Sequence, residues 1–180
     1  MSSYLDEADT DDEGAAVSEV PVDPEAQRIA TEEAAEQKAL GNTAFGAKNF
    51  EEALTHYSRA IKLLKDARCT RDPLILLNRS ATYIALKRFV PAHYDASQAA
   101  QVDPGNWKCH WRQGVALMSM TKKKFRTQQA IQAFEATLQC PTLPMDKREE
   151  LDKELRKAKA RLEQQDAETP PADLSNCAPS

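Results

Sequence analysis

Several kinds of protein are excluded by what the 180-residue chain lacks. No stretch alternates apolar and polar residues in the way a half-buried strand does, so a sheet is not expected. The four cysteines, Cys69, Cys109, Cys140 and Cys177, include no C-x-x-C pair, and the three histidines lack metal-ligand spacing. That pattern predicts reduced structural thiols, no metal and no cofactor. The N-terminus has no basic-then-apolar leader, and the longest apolar run, PLILL at 73–77, is far too short to span a bilayer. No nucleophile–base pair or phosphate loop stands out, and no enzyme activity is expected. Aromatics make up 6% of the chain, with no aromatic-plus-basic motif of the kind that binds nucleic acid. The expected setting is the cytoplasm, with the nucleus as the alternative, away from membranes.

Charge is present but unevenly spread. Residues 1–25 hold nine acidic side chains and no lysine or arginine. The remainder carries 24 basic against 19 acidic residues, a net +5 that suits an acidic partner. Residues 1–22, acidic and almost free of aromatics, are expected to be disordered, because they cannot bury enough apolar surface to offset their ordering entropy.

From there the pattern is helical throughout. Asp23-Pro24-Glu25 reads as a helix start, with an N-cap, a proline at the first position and then an acid. That helix is expected to run to Lys48, a second from Phe50 to about Ala67 and a third from Asp72-Pro73 to about Lys87. A fourth is expected from near Pro91 to the turn Asp103-Pro104-Gly105-Asn106, and a fifth from Trp107 to about Met120. A sixth covers about 127–139. A seventh, about 146–165, carries Leu151, Leu155, Ala158 and Leu162 as a narrow apolar stripe on a highly charged helix.

The helices repeat. Aligning EEALTHYSRAI (51–61), VPAHYDASQAA (90–100) and QQAIQAFEATL (128–138) places Ala53, Ala92 and Ala130 in register, 39 and 38 residues apart. Tyr57, Ala96 and Phe134 follow four residues later, and the small residues Ala60, Ala99 and Thr137 follow at seven. Gly41 and Ser80 stand 12 residues before their alanines, and Gly114 stands 16 before its own. Glycine inside a helix costs about 1 kcal/mol against alanine. Small residues at these places predict close approach between the two helices of a pair.

Leu40-Gly41, Ala53-x3-Tyr57, Tyr83, Ala92, Pro104, Gly114 and Ala130-x3-Phe134 resemble the tetratricopeptide-repeat signature. The signature's tryptophan is absent from all three repeats, and Ser80 replaces a glycine. The resemblance covers about residues 31–140. It implies an all-α fold of three helix pairs in a right-handed superhelix with a C-terminal capping helix. The expected division is an acidic tail (1–22), three repeats (23–141), the capping helix (142–166) and a loose tail (167–180).

Within that family, the resemblance is to the two-carboxylate-clamp co-chaperone type. Lys38 and Asn42 lie four apart on the first helix, Asn78 on the third, and Lys108 and Arg112 four apart on the fifth. In such domains Lys and Asn, then Asn, then Lys and Arg hold the C-terminal carboxylate and last Asp side chain of a peptide ending in Glu-Glu-Val-Asp. The implied partners are the C-terminal tails of cytosolic heat shock protein 90 and/or heat shock protein 70, bound by a monomer. Phe45, Ala81, Trp111 and Met118 are further candidates to shape the pocket, with core packing the competing role for the two aromatics. Two other readings stay open. One is a scaffold that binds an internal acidic segment. The other is the targeting part of a larger enzyme, for whose catalytic domain the repeats leave little room in these 180 residues.

Overall fold

The computed structural model describes residues 23–120 and 123–168. Among the described residues seven helices follow one another: α1 (Pro24–Gly46), α2 (Phe50–Asp66), α3 (Pro73–Ala85), α4 (Phe89–Val102), α5 (Trp107–Ser119), α6 (Lys124–Gln139) and α7 (Met145–Glu168). No strand occurs among the described residues. The expected acidic tail lies outside the described residues. So does the expected C-terminal tail, apart from Ala167 and Glu168, which close α7.

Local chemistry accounts for the starts of α1, α3 and α5. The Asp23 carboxylate accepts from the Glu25 amide at 3.0 Å, the Asp72 carboxylate from the Leu74 amide at 2.8 Å, and the Asn106 side chain from the Lys108 amide at 3.2 Å. Pro24 and Pro73 occupy the first turns, where no amide hydrogen is needed. Three helices end in a left-handed residue that is not glycine: Lys48 (φ 64°) after α1, Arg68 (φ 54°) after α2 and Lys87 (φ 57°) after α3. Each end closes its last turn with a backbone bond. Asn49 donates to the Ala44 carbonyl at 2.9 Å, Cys69 to Leu64 at 2.8 Å and Arg88 to Tyr83 at 2.8 Å.

Consecutive helices pair as α1–α2, α3–α4 and α5–α6, with α7 laid on α6. Ala53, Ala92 and Ala130 are fully buried where the partner helices cross. At Gly41 the close approach is to a ring: a Cβ there would stand 2.6 Å from Tyr57 Cε1. Gly114 makes the same room for the Phe134 ring. Ser80 has a different use, its hydroxyl donating to the Ala92 carbonyl at 2.7 Å and so stitching α3 to α4. Behind these contacts Arg79 forms a two-pronged ion pair with Asp95, at 2.7 and 2.8 Å, and donates to Ser58 Oγ at 3.2 Å. One guanidinium thereby ties α3 to both α4 and α2.

The stripe on α7 covers the last pair. Leu151 and Ala158 are fully buried, and Leu155 and Leu162 pack against the cluster built on Leu117, Ala130, Ile131 and Phe134. Arg161 adds a bond from its guanidinium to the Met118 carbonyl at 2.6 Å. Two helix ends differ by three residues from the sequence reading, and α1 stops at Gly46 rather than Lys48. α6 begins at Lys124, earlier than 127, and α7 continues to Glu168. Cys109 and Cys140 are buried free thiols, and burial pushes the Cys109 thiol up to about 11. Among the described residues, no group of side chains could hold a metal ion and no helix is long and apolar enough to cross a membrane.

Candidate functional site

The first, third and fifth helices carry the five polar residues singled out above. Asn42 on α1 and Asn78 on α3 touch: Asn78 Nδ2 donates to Asn42 Oδ1 at 2.9 Å. The Tyr57 hydroxyl donates to the same Asn42 oxygen at 2.8 Å. Lys38, one turn before Asn42, pairs with Asp72 Oδ2 at 2.9 Å, and both side chains are about three-quarters buried. On α5 the exposed Lys108 has its ammonium 5.9 Å from the centre of the Trp107 ring.

Arg112 is the most unusual of the five. Its Nη1 atom is buried and has no hydrogen-bond partner. Burial lowers the guanidinium well below its ordinary value, to about 10, partly opposed by Cys109 and Tyr57. It remains charged at neutral pH. The Tyr57 hydroxyl, meanwhile, is raised by burial, with Arg112 acting against that shift. Tyr57 thus bonds to one of the paired asparagines and feels the charge of the guanidinium.

A cavity of about 260 Å³ opens beside these groups, lined by Ala81, Ile84, Trp107, Lys108, Trp111, Arg112 and Val115. Ala81 and Trp111, expected to shape a pocket, therefore line the one that holds Lys108 and Arg112. Met118 lies elsewhere, in a larger cavity of about 910 Å³ between α5 and α7 that shares Trp111 and Val115 with the first. Phe45 packs edge-on against Phe50 at 5.4 Å and against the core of the first helix pair. Trp111 has two roles, since it also tilts against Phe134 at 5.6 Å.

Sequence reasoning missed Asp72 and Tyr57. Asp72 was visible only as a helix cap, and Tyr57 only as the aromatic of the repeat. No local pattern shows that the first reaches Lys38 across 34 positions or the second Asn42 across 15.

The arrangement presents one largely buried and one exposed ammonium, a buried guanidinium and two amides around one surface. These groups can donate several hydrogen bonds to an anion.

No protein-family model matches the chain. The TPR domain of Sgt2 from Aspergillus fumigatus is similar at 26% identity and a TM-score of 0.62, covering 82% of this chain and 91% of that one. The second TPR of Spaghetti (RPAP3), solved bound to the HSP90 peptide SRMEEVD, is similar at 27% identity and a TM-score of 0.55, covering 63% and 90%. The three helix pairs are tetratricopeptide repeats, wound as a right-handed superhelix and closed by α7. Among curated proteins, heat shock protein STI1 of Saccharomyces cerevisiae is 33% identical over 85 residues, 47% of this chain and 14% of STI1. The chain spans a small part of that relative's length.

Proposed function

We propose that the chain is a non-enzymatic interaction module that binds the free C-terminal end of an acidic peptide through Lys38, Asn42, Asn78, Lys108 and Arg112. The observation that carries this reading is Arg112. A buried guanidinium nitrogen with no partner is a costly feature in a folded chain, and it becomes favourable once a carboxylate reaches it. The paired asparagines supply neutral donors beside it, and Lys108 supplies an exposed charge. A chain end with a terminal aspartate offers two carboxylates a few ångströms apart, which matches donors spread over α1, α3 and α5.

The ligand class is the C-terminal tail of heat shock protein 90 and/or heat shock protein 70. The support is the likeness to the RPAP3 domain bound to SRMEEVD and to STI1. The reading makes the chain a co-chaperone-like monomer acting in the cytoplasm.

The test is a calorimetric titration with peptides ending in Glu-Glu-Val-Asp, as free acids and as C-terminal amides. The free acid should bind with micromolar affinity, about −7 to −8 kcal/mol. Amidation removes one carboxylate and should weaken binding about ten- to a hundredfold. Equal binding of acid and amide would replace the clamp with a scaffold that takes internal acidic segments.

A further inference from the structure

We infer that Tyr57 and Asp72 are two further members of the binding machinery, acting in opposite directions: Tyr57 positions Asn42 to donate, and Asp72 restrains Lys38 and holds affinity down. The inference rests on the clamp reading above and goes beyond its five residues.

The Tyr57 part follows from an inventory of donors and acceptors. The Asn42 side-chain oxygen has two lone pairs, and both are taken, one by the Tyr57 hydroxyl at 2.8 Å and one by Asn78 Nδ2 at 2.9 Å. That fixes which way the amide points. With the oxygen held inward, Nδ2 faces outward, and it donates to no described residue. A carboxylate can accept only, so it needs this orientation and not the flipped one. Tyr57 is well placed to enforce it. Its ring is buried and clamped against Gly41, one residue before Asn42 on the same helix, so the hydroxyl cannot drift. The tyrosine is therefore a positioning residue and makes no demand on the ligand itself.

The Asp72 part follows from charge. Its two oxygens are divided: Oδ1 accepts the Leu74 amide and caps α3, while Oδ2 holds the Lys38 ammonium at 2.9 Å. The fold needs only the first of these. With Asp72 present, the three cations of the site face a ligand with a net +2, and one of them is already neutralised by a carboxylate of the protein. An incoming carboxylate must share Lys38 with Asp72 and approach that like charge. Asparagine is as good an N-cap as aspartate and carries no charge. Asp72→Asn therefore separates the two roles.

The experiment uses the full chain and a free-acid peptide ending in Glu-Glu-Val-Asp, by calorimetry at low and high salt, with a melting curve for each variant. Tyr57→Phe keeps the ring against Gly41 and should weaken binding about three- to tenfold. In an Asn42→Ala background the same change should have no further effect, a coupling that a merely structural role would not produce. Asp72→Asn should tighten binding about three- to fivefold at low salt, with the gain shrinking at high salt and the melting temperature close to wild type. Tyr57→Phe without effect, or weakening the peptide equally with and without Asn42, overturns the first part. Asp72→Asn weakening the peptide overturns the second. Side-chain amide NMR of the unliganded protein separates these failures from failure of the clamp itself. If wild type binds no peptide, the clamp reading falls. The Asn42 amide protons should still move in Tyr57→Phe if the hydrogen bond orients that group, and unmoved resonances overturn the orientation.

Discussion

Replacing Arg112 with methionine should make the unliganded protein more stable while abolishing its binding. Arg112 is lowered to about 10, chiefly by burial, with Cys109 and Tyr57 opposing. For a base, a folded pKa below the unfolded one means that the fold disfavours the charged form. The penalty is fully present at every pH below about 10 and is relieved as pH rises from there towards the ordinary arginine value, because the folded chain releases the proton first. At about 1.4 kcal/mol per unit the shift corresponds to roughly 3 kcal/mol. The residue keeps part of its surface in solvent, and discounting for that leaves roughly 1–2 kcal/mol. Methionine preserves the apolar stem and removes both the charge and the orphaned Nη1. The melting temperature should rise by about 3–8 °C in a neutral buffer. In the same sample, loss of a buried cation facing a carboxylate should cost about 2–5 kcal/mol of binding. A bound carboxylate holds the guanidinium charged, so wild-type affinity should also fall as pH is raised through about 10. Differential scanning calorimetry and a peptide titration on one preparation decide the matter. A melting temperature lowered by several degrees would refute the reasoning, because Arg112 would then be a stabilising partner of groups around it.

Four other substitutions probe the frame around the site. Gly41→Ala drives a methyl group into the Tyr57 ring and should destabilise the chain by about 1–3 kcal/mol in urea, with binding weakened as well because the ring carries the hydroxyl bound to Asn42. Leu151→Ala empties a fully buried position between α7 and α6 and should lower stability by about 2–5 kcal/mol; an unchanged urea midpoint would mean that α7 does not seal the last repeat. Asp95→Ala leaves the Arg79 guanidinium buried without its carboxylate and should cost about 3–5 kcal/mol, whereas Arg88→Ala, which breaks the exposed pair with Glu51, should shift the melting curve little.

How far the sequence reveals this molecule depends on the range of each signal. Helix starts at Asp23-Pro24 and Asp72-Pro73 are legible because cap and proline act on the next few amides. The start of α6 is not, since Lys123 caps without a side-chain bond and nothing local marks Lys124 as the first helical residue. The ends of α1, α2 and α3 are legible to within two residues because the helical period stops there, although the left-handed position that normally announces itself with glycine is taken by the long cations Lys48, Arg68 and Lys87. The stripe on α7 is legible through its period, which encodes a face without saying what covers it. At the site, four-residue spacing places Lys38 with Asn42 and Lys108 with Arg112 on common faces. The contacts that give those residues their character join positions far apart in the chain. Lys38 is engaged by Asp72, Asn42 is oriented from α2, and Arg79 reads as one more surface cation although it is bound to a carboxylate that is 1% exposed.

Both tryptophans of the chain, Trp107 and Trp111, line the cavity beside Lys108 and Arg112. The protein's whole indole emission therefore originates at one place. Lys108 stands over one ring, and Arg112 lies one residue beyond the other. When a carboxylate draws these cations towards itself, the electric field across both indoles changes, and with it their colour and brightness. Occupancy of the cavity is then readable from the unlabelled protein, at protein concentrations far below those calorimetry needs. Replacing either tryptophan with phenylalanine assigns the signal to one wall of the cavity or the other.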